Sequence, residues 1–174
     1  MSLFNKLILA ALISAIPVAA HATDLLTSGS TLPVASSGFD WNRFYAGVYG
    51  VGQDSGAGGQ FGAGVDLGVN ARLEFVLVGA EVRVEGLDGG AGMTGYAQGL
   101  GKAGIALTDS AILYGAGGIG ASFSGPSESD GLLGGGVELA LTDNVSVDAR
   151  YLHGFPITGA NPKDQVTVGA NFHF

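Results

Sequence analysis

The chain has 174 residues, 32 of them glycine, with no cysteine, 13% charged residues and a formal net charge of −8. That length suits one domain, the lack of cysteine excludes a disulfide framework or a thiolate metal site, and the acidic balance disfavours nucleic acid, whose phosphates need clustered Lys and Arg. The charged fraction is about half the usual quarter, which is low for a domain surrounded by water.

Residues 1–22 read as a secretory signal peptide. Lys6 precedes an apolar run over residues 7–16, and Ala20-His21-Ala22 offers a small-x-small cleavage site set by Ala20 and Ala22. The run is too short to cross a bilayer as a helix. Its removal takes Lys6 with it and moves the formal charge from −8 to −9. Residues 23–40 read as a flexible leader, rich in Ser and Thr in its first part. The domain proper spans residues 41–174.

Eight segments then alternate with period two, which sends neighbouring side chains to opposite faces of a strand. They lie near residues 44–52, 59–69, 76–86, 93–107, 111–123, 132–141, 145–153 and 165–174. The hairpin over residues 132–153 shows the pattern best. Leu133, Val137, Leu139 and Leu141 share one parity, and Gly134, Gly136 and Glu138 the other; Val145, Val147, Ala149 and Tyr151 then alternate with Ser146, Asp148 and Arg150. Tight turns are expected at residues 70–72, 108–110 and 142–144, and longer loops at 53–58, 87–92, 124–130 and 155–164. An even number of strands, with short turns at one end and longer loops at the other, predicts an all-β fold: an eight-stranded antiparallel up-and-down β-barrel. Closure also removes the edges that so apolar a sheet would otherwise expose.

Periodicity alone leaves open whether the apolar parity faces inward, as in a soluble periplasmic ligand-binding barrel, or outward to lipid. Three features favour lipid and a transmembrane barrel. Asp66, Glu81, Arg83, Glu85, Lys102, Glu138, Asp148 and Arg150 share the less apolar parity, and eight charges are a thin coat for a soluble exterior. Inside a narrow barrel they can pair into a polar network. Strands of about 9–11 residues match a tilted membrane crossing. Aromatics gather near segment ends, with Trp41, Phe44 and Tyr45 at the start, then Tyr151 and Phe155, then Phe172 and Phe174, which suggests an interfacial girdle.

The stretch WNRFYAGVYGVG at residues 41–52 resembles the first strand of the small eight-stranded outer-membrane proteins of Gram-negative bacteria, which include the opacity-type porin family and the transmembrane domain of outer membrane protein A. KAGIALTDSAILYGAGGIG at residues 102–120 is similar to that family's fourth-to-fifth strand hairpin, and GGVELALTDNVSVDARY at 135–151 to its sixth-to-seventh. The resemblance implies a cell outer-membrane location, a periplasmic leader, outer-membrane lipid around the barrel, a monomer, and no cofactor. It implies that Phe174 belongs to the signal read by the barrel assembly machinery, and that Glu81, Lys102 and Glu138 occupy acidic and basic lumen positions. The seventh strand departs from the family pattern: Asp148 precedes Arg150, where relatives place the basic residue first. A structural role in envelope integrity with a mostly closed polar lumen is the expectation, and a narrow porin for small solutes or ions is the alternative.

Other chemistry is weakly signalled. His153 and His173 stand in no metal-ligand spacing and next to no nucleophile in sequence, so no enzyme is expected. Asp88, Glu128 and Asp130 fit no calcium-loop spacing and read as solvated loop charges. Residues 115–120 and 134–136 are glycine runs without the GK[ST] of a phosphate loop, and read instead as sites of close strand packing.

Overall fold

The computed structural model describes residues 38–174 apart from 57, 90, 91, 126 and 159–161. The signal peptide, its Ala20 and Ala22, and most of the leader lie outside the described residues. Eight antiparallel strands form a closed barrel in chain order: β1 (Phe44–Ser55), β2 (Gly58–Leu73), β3 (Val76–Gly89), β4 (Thr94–Thr108), β5 (Ala111–Ser124), β6 (Ser129–Ala140), β7 (Val145–Thr158) and β8 (Lys163–His173). The ring closes where β8 pairs with β1, from Tyr45↔His173 to Ser55↔Lys163. No described residue is helical.

The two parities separate cleanly. Val48, Val65, Val82, Ile119, Leu133 and Val168 are all more than half exposed on the outer wall. Asp66, Glu81, Arg83, Glu85, Lys102, Glu138, Asp148 and Arg150 are buried on the inner one. A soluble barrel with its apolar parity inward therefore does not describe this molecule. An apolar cluster does exist inside, formed by Leu77, Leu100, Ile112, Ala116, Leu132 and Leu152 with Phe39, Trp41 and Tyr114. Its strand residues come from β3 to β7, which also carry seven of the eight charges, so apolar and polar groups share that side of the lumen.

Several local expectations are corrected. Residues 70–72 are not a turn: β2 runs through them to Leu73, because Asn70 keeps the inward parity and its ladder with β3 continues to Leu73↔Val76. The turn falls on Glu74 and Phe75, with Glu74 in the left-handed region at φ 58°. The loops at the opposite end are shorter than the composition suggests, since β1 reaches Ser55, β3 Gly89 and β7 Thr158. Their Gly, Ser and Asp residues are carried by strand ladders.

The expected aromatic girdle loses two members. Trp41 and Tyr45 are fully buried, whereas Tyr151, Phe155, Phe172 and Phe174 do stand on the outside, about half exposed. Tyr45 shares the inward parity of Gly47 and Tyr49. Trp41 precedes β1 and folds into the barrel mouth against Phe39, with ring centroids 4.4 Å apart. Among the described residues, packing against the barrel therefore extends ahead of residue 41, to Phe39.

Candidate functional site

The lumen is built on repeated rungs in which a tyrosine crosses a glycine to reach a charge two strands away. Tyr45 pairs with Gly68, and Gly68 with Glu81; the phenol donates to Glu81 Oε2 at 2.5 Å. Four residues further along, Tyr49, Gly64 and Glu85 repeat the arrangement, with a 2.9 Å bond from Tyr49 to Glu85. On the far side Tyr114, Gly136 and Arg150 form a third rung, where Arg150 Nε donates to the phenol oxygen at 2.9 Å. Tyr96 lies over Gly120 and donates to Asp130 Oδ2 at 2.7 Å. Adjacent strands lie about 4.8 Å apart, so a ring can cross only where the intervening residue has no side chain. A Cβ on Gly68 would sit 2.3 Å from Tyr45 Cζ, and one on Gly64 2.3 Å from Tyr49 Cζ. Gly68→Ala is therefore expected to cost about 1–3 kcal/mol by overpacking. Gly50→Ala, where a Cβ meets nothing within 4 Å, should be close to neutral. Urea unfolding in lipid vesicles compares the two.

Glu81 is the hub of these rungs. Its carboxylate takes Arg150 through both guanidinium nitrogens, lies 3.3 Å from Lys102 Nζ and 3.6 Å from Arg83 Nε, and accepts the Tyr45 phenol. Lys102 also donates to the Tyr45 oxygen at 2.6 Å. Arg83 stacks 3.7 Å over the Tyr49 ring, with Asp66 at 3.9 Å. Asp148 lies 3.5 Å from Arg150 Nη2 and accepts the Tyr114 phenol at 3.2 Å. Arg150 thus bridges Glu81 and Asp148. Glu85 sits apart from the hub, bonded to Tyr49, Gln98 at 3.1 Å and Gln165 at 2.6 Å. Glu138 also stands away, at the end near the termini.

Two further groups escape a reading of the sequence alone. Asp130 is no loop charge: it is fully buried in β6 and holds Lys163 at 3.0 Å beside the Tyr96 phenol. Glu128 joins the same lysine at 2.6 Å. The inward parity of Asp130 with Leu132 and Gly134 was the available signal, hidden by its Ser- and Gly-rich surroundings. Asp88 is exposed at the end of β3. At the terminal end, His173 Nε2 is 2.9 Å from Ser146 Oγ, which donates to Glu138 Oε1 at 2.6 Å. Asn171 adds a bond to the same carboxylate oxygen at 3.1 Å.

Serine, histidine and acid here do not form a hydrolytic triad. The single serine proton goes to Glu138, so His173 donates to the serine instead of accepting from it, and among the described residues His173 Nδ1 has no hydrogen-bond partner. His153 faces outward and contacts Asp164 at 2.8 Å, while Tyr151 reaches the same carboxylate. Among the described residues, no group of three or more His, Cys, Asp or Glu side chains is placed to hold a metal ion.

No protein-family model matches the chain, and no curated protein does. Solved structures do. Ail, the attachment invasion locus protein of Yersinia pestis, superposes with a TM-score of 0.58 at 14% identity, over 76% of this chain and 97% of Ail. The Yersinia pestis outer membrane protein Ail in a phospholipid bilayer nanodisc gives 0.52 at 14% identity, over 76% and 99%. A de novo designed transmembrane β-barrel gives 0.52 at 10%, over 79% and 99%. The fold is that of the small eight-stranded outer-membrane β-barrels. At these identities the likeness concerns the fold alone, and the lumen rungs are argued from this chain's own residues.

Proposed function

We propose that this chain is an outer-membrane β-barrel whose role is structural, contributing to envelope integrity with a lumen closed by its own ion pairs. The observation that carries this reading is the Glu81 hub: four side chains from β1, β3, β4 and β7 converge on one buried carboxylate and cross the lumen. An eight-stranded barrel is just wide enough for side chains to fill, and here the filling is charged, aromatic and mutually bonded. The apolar outer wall and the outer-membrane neighbours support placement in lipid. Residues 1–22 would direct export, and the leader that follows would lie in the periplasm up to Gly38 and Phe39, which reach the barrel mouth. Phe174, about half exposed with its N–H bonded to Phe44 O, is suited to recognition by the assembly machinery. The working unit is a monomer without cofactor.

Planar-bilayer recording of the purified barrel tests the closed lumen. No steady channels are expected from the wild type. Steady wild-type channels whose conductance changes in Glu81→Gln or Lys102→Met would instead make the same residues the lining of a narrow pore.

A further inference from the structure

The terminal mouth of the barrel carries a closure separate from the ion pairs. Phe39 and Trp41 belong to no strand, yet Trp41 is fully buried and Phe39 nearly so. Both present their rings to His173 edge-on, at centroid distances of 4.8 and 5.9 Å, and His173 in turn leans on Tyr45 at 5.4 Å. Directly beneath them lies the polar group of His173, Ser146 and Glu138. Phe39 and Trp41 also belong to the apolar cluster that includes Leu77 and Ile112.

This segment is held by individual hydrogen bonds instead of a strand ladder, one of them from the Arg72 N–H to Asn42 Oδ1 at 2.6 Å. The Trp41 indole donates one hydrogen bond to Asp109 O at 3.2 Å. Gly38 passes so close to the β4–β5 turn that a Cβ there would lie 2.7 Å from Asp109 Cβ. Two clefts flank the segment, of about 380 and 310 Å³, and Gly38 and Phe39 line both. The first continues over Ser110 and residues 140–143; the second runs past Arg72, Glu74 and Asp109. The aromatic pair therefore seals the mouth by packing and has open space on either side.

We propose that Phe39 and Trp41 are a stopper that closes the terminal mouth of the lumen, and that its displacement admits water and small solutes to the His173–Ser146–Glu138 layer while the Glu81 hub stays shut. The stopper rests on aromatic packing and the Trp41–Asp109 hydrogen bond, and does not depend on the membrane placement. It divides the lumen into a part braced by the Glu81 hub and a vestibule whose access is set by Phe39 and Trp41.

The chain has no cysteine, so one introduced thiol reports access without background. Ile112→Cys places it in the apolar cluster beneath the stopper, and Leu87→Cys places it in the separate buried cluster with Tyr49 and Val51 near the other end. Both are reacted with a small maleimide on the folded full-length protein in detergent micelles. In the Phe39→Ala/Trp41→Ala background, Ile112→Cys should react at least about tenfold faster than with the stopper intact, because local opening controls the reactivity of a buried group. Leu87→Cys should be unchanged. Equal rates for Ile112→Cys in both backgrounds would overturn the stopper, as would equal acceleration of both thiols, which would mean general loosening. Phe39→Ser, which keeps Trp41 and its hydrogen bond, carries the same reading should the double variant not run as a folded barrel on an unheated gel.

Discussion

Glu81→Ala is expected to lose about 3–5 kcal/mol of stability, because removing one partner of a buried ion cluster leaves the others charged and uncompensated. Arg83, Lys102 and Arg150 all face that carboxylate, and each is at least 96% shielded. Asp148 still neighbours Arg150 and Asp66 still neighbours Arg83, but Lys102 would lose its ion pair with Glu81 and keep the Tyr45 oxygen and the Tyr45 and Tyr114 rings. Tyr45→Phe removes one hydrogen bond while keeping the ring over Gly68, so its cost should be nearer 1 kcal/mol. Urea titration in vesicles, followed by unheated gel migration, ranks the two. A double variant, Glu81→Leu with Arg150→Met, should lose less than the sum of its parts, since residues in one network are not additive. If Glu81→Ala were as mild as Tyr45→Phe, the hub would be a cluster of neighbours without energetic coupling.

Val168→Arg is expected to cost about 2–4 kcal/mol, and Leu141→Arg only about 0–1 kcal/mol, because an arginine on a lipid-facing wall is most costly at the bilayer midplane and cheap at the interface. Val168 stands midway along β8, opposite Gly50 and Ala149, and is 63% exposed. Leu141 is equally exposed, at 63%, but lies in the β6–β7 turn. Their matched exposure makes depth the difference between them. In water two such surface changes would both be close to neutral. Equal effects in vesicles would mean that the wall at Val168 does not meet hydrocarbon.

The barrel itself was legible because its signal is repeated eight times. Period two puts Val76, Val78 and Val82 on one side and Leu77, Glu81 and Arg83 on the other wherever the strand ends, so boundary errors leave the face of a residue unchanged. The β6–β7 turn was legible for another reason: Thr142, Asp143 and Asn144 are a cluster of turn formers between two clear strands. Pairing across the lumen was not. That Arg150 reaches Glu81, 69 residues earlier, depends on the curvature of a closed sheet and on which neighbours lack a side chain. Glycine on the polar parity opposite tyrosine, as with Tyr45 and Gly68 or Tyr114 and Gly136, is the feature that carries this information once the register is known. Trp41 misled because aromatics at a strand start suit both an interfacial girdle and a mouth closure, and only its position before β1 tells them apart. Asp130 misled because local composition outweighed its parity.

The order of Asp148 and Arg150 along β7 has a geometric consequence. Arg150, further along β7, meets both Glu81 and the Tyr114 phenol through the glycine at 136, and Asp148 takes the phenol proton. The two charges are on one face two residues apart, so both orders keep them inside. Their order decides which one can span the lumen.

The apolar wall turned to lipid is tested most directly by refolding the purified chain with phosphatidylcholine vesicles, floating them through a density gradient and washing with alkaline carbonate. The barrel should rise with the lipid, survive the wash, and migrate differently on a gel before and after boiling. A folded, monodisperse β-barrel left in the aqueous fraction, with no lipid and no detergent, would contradict it.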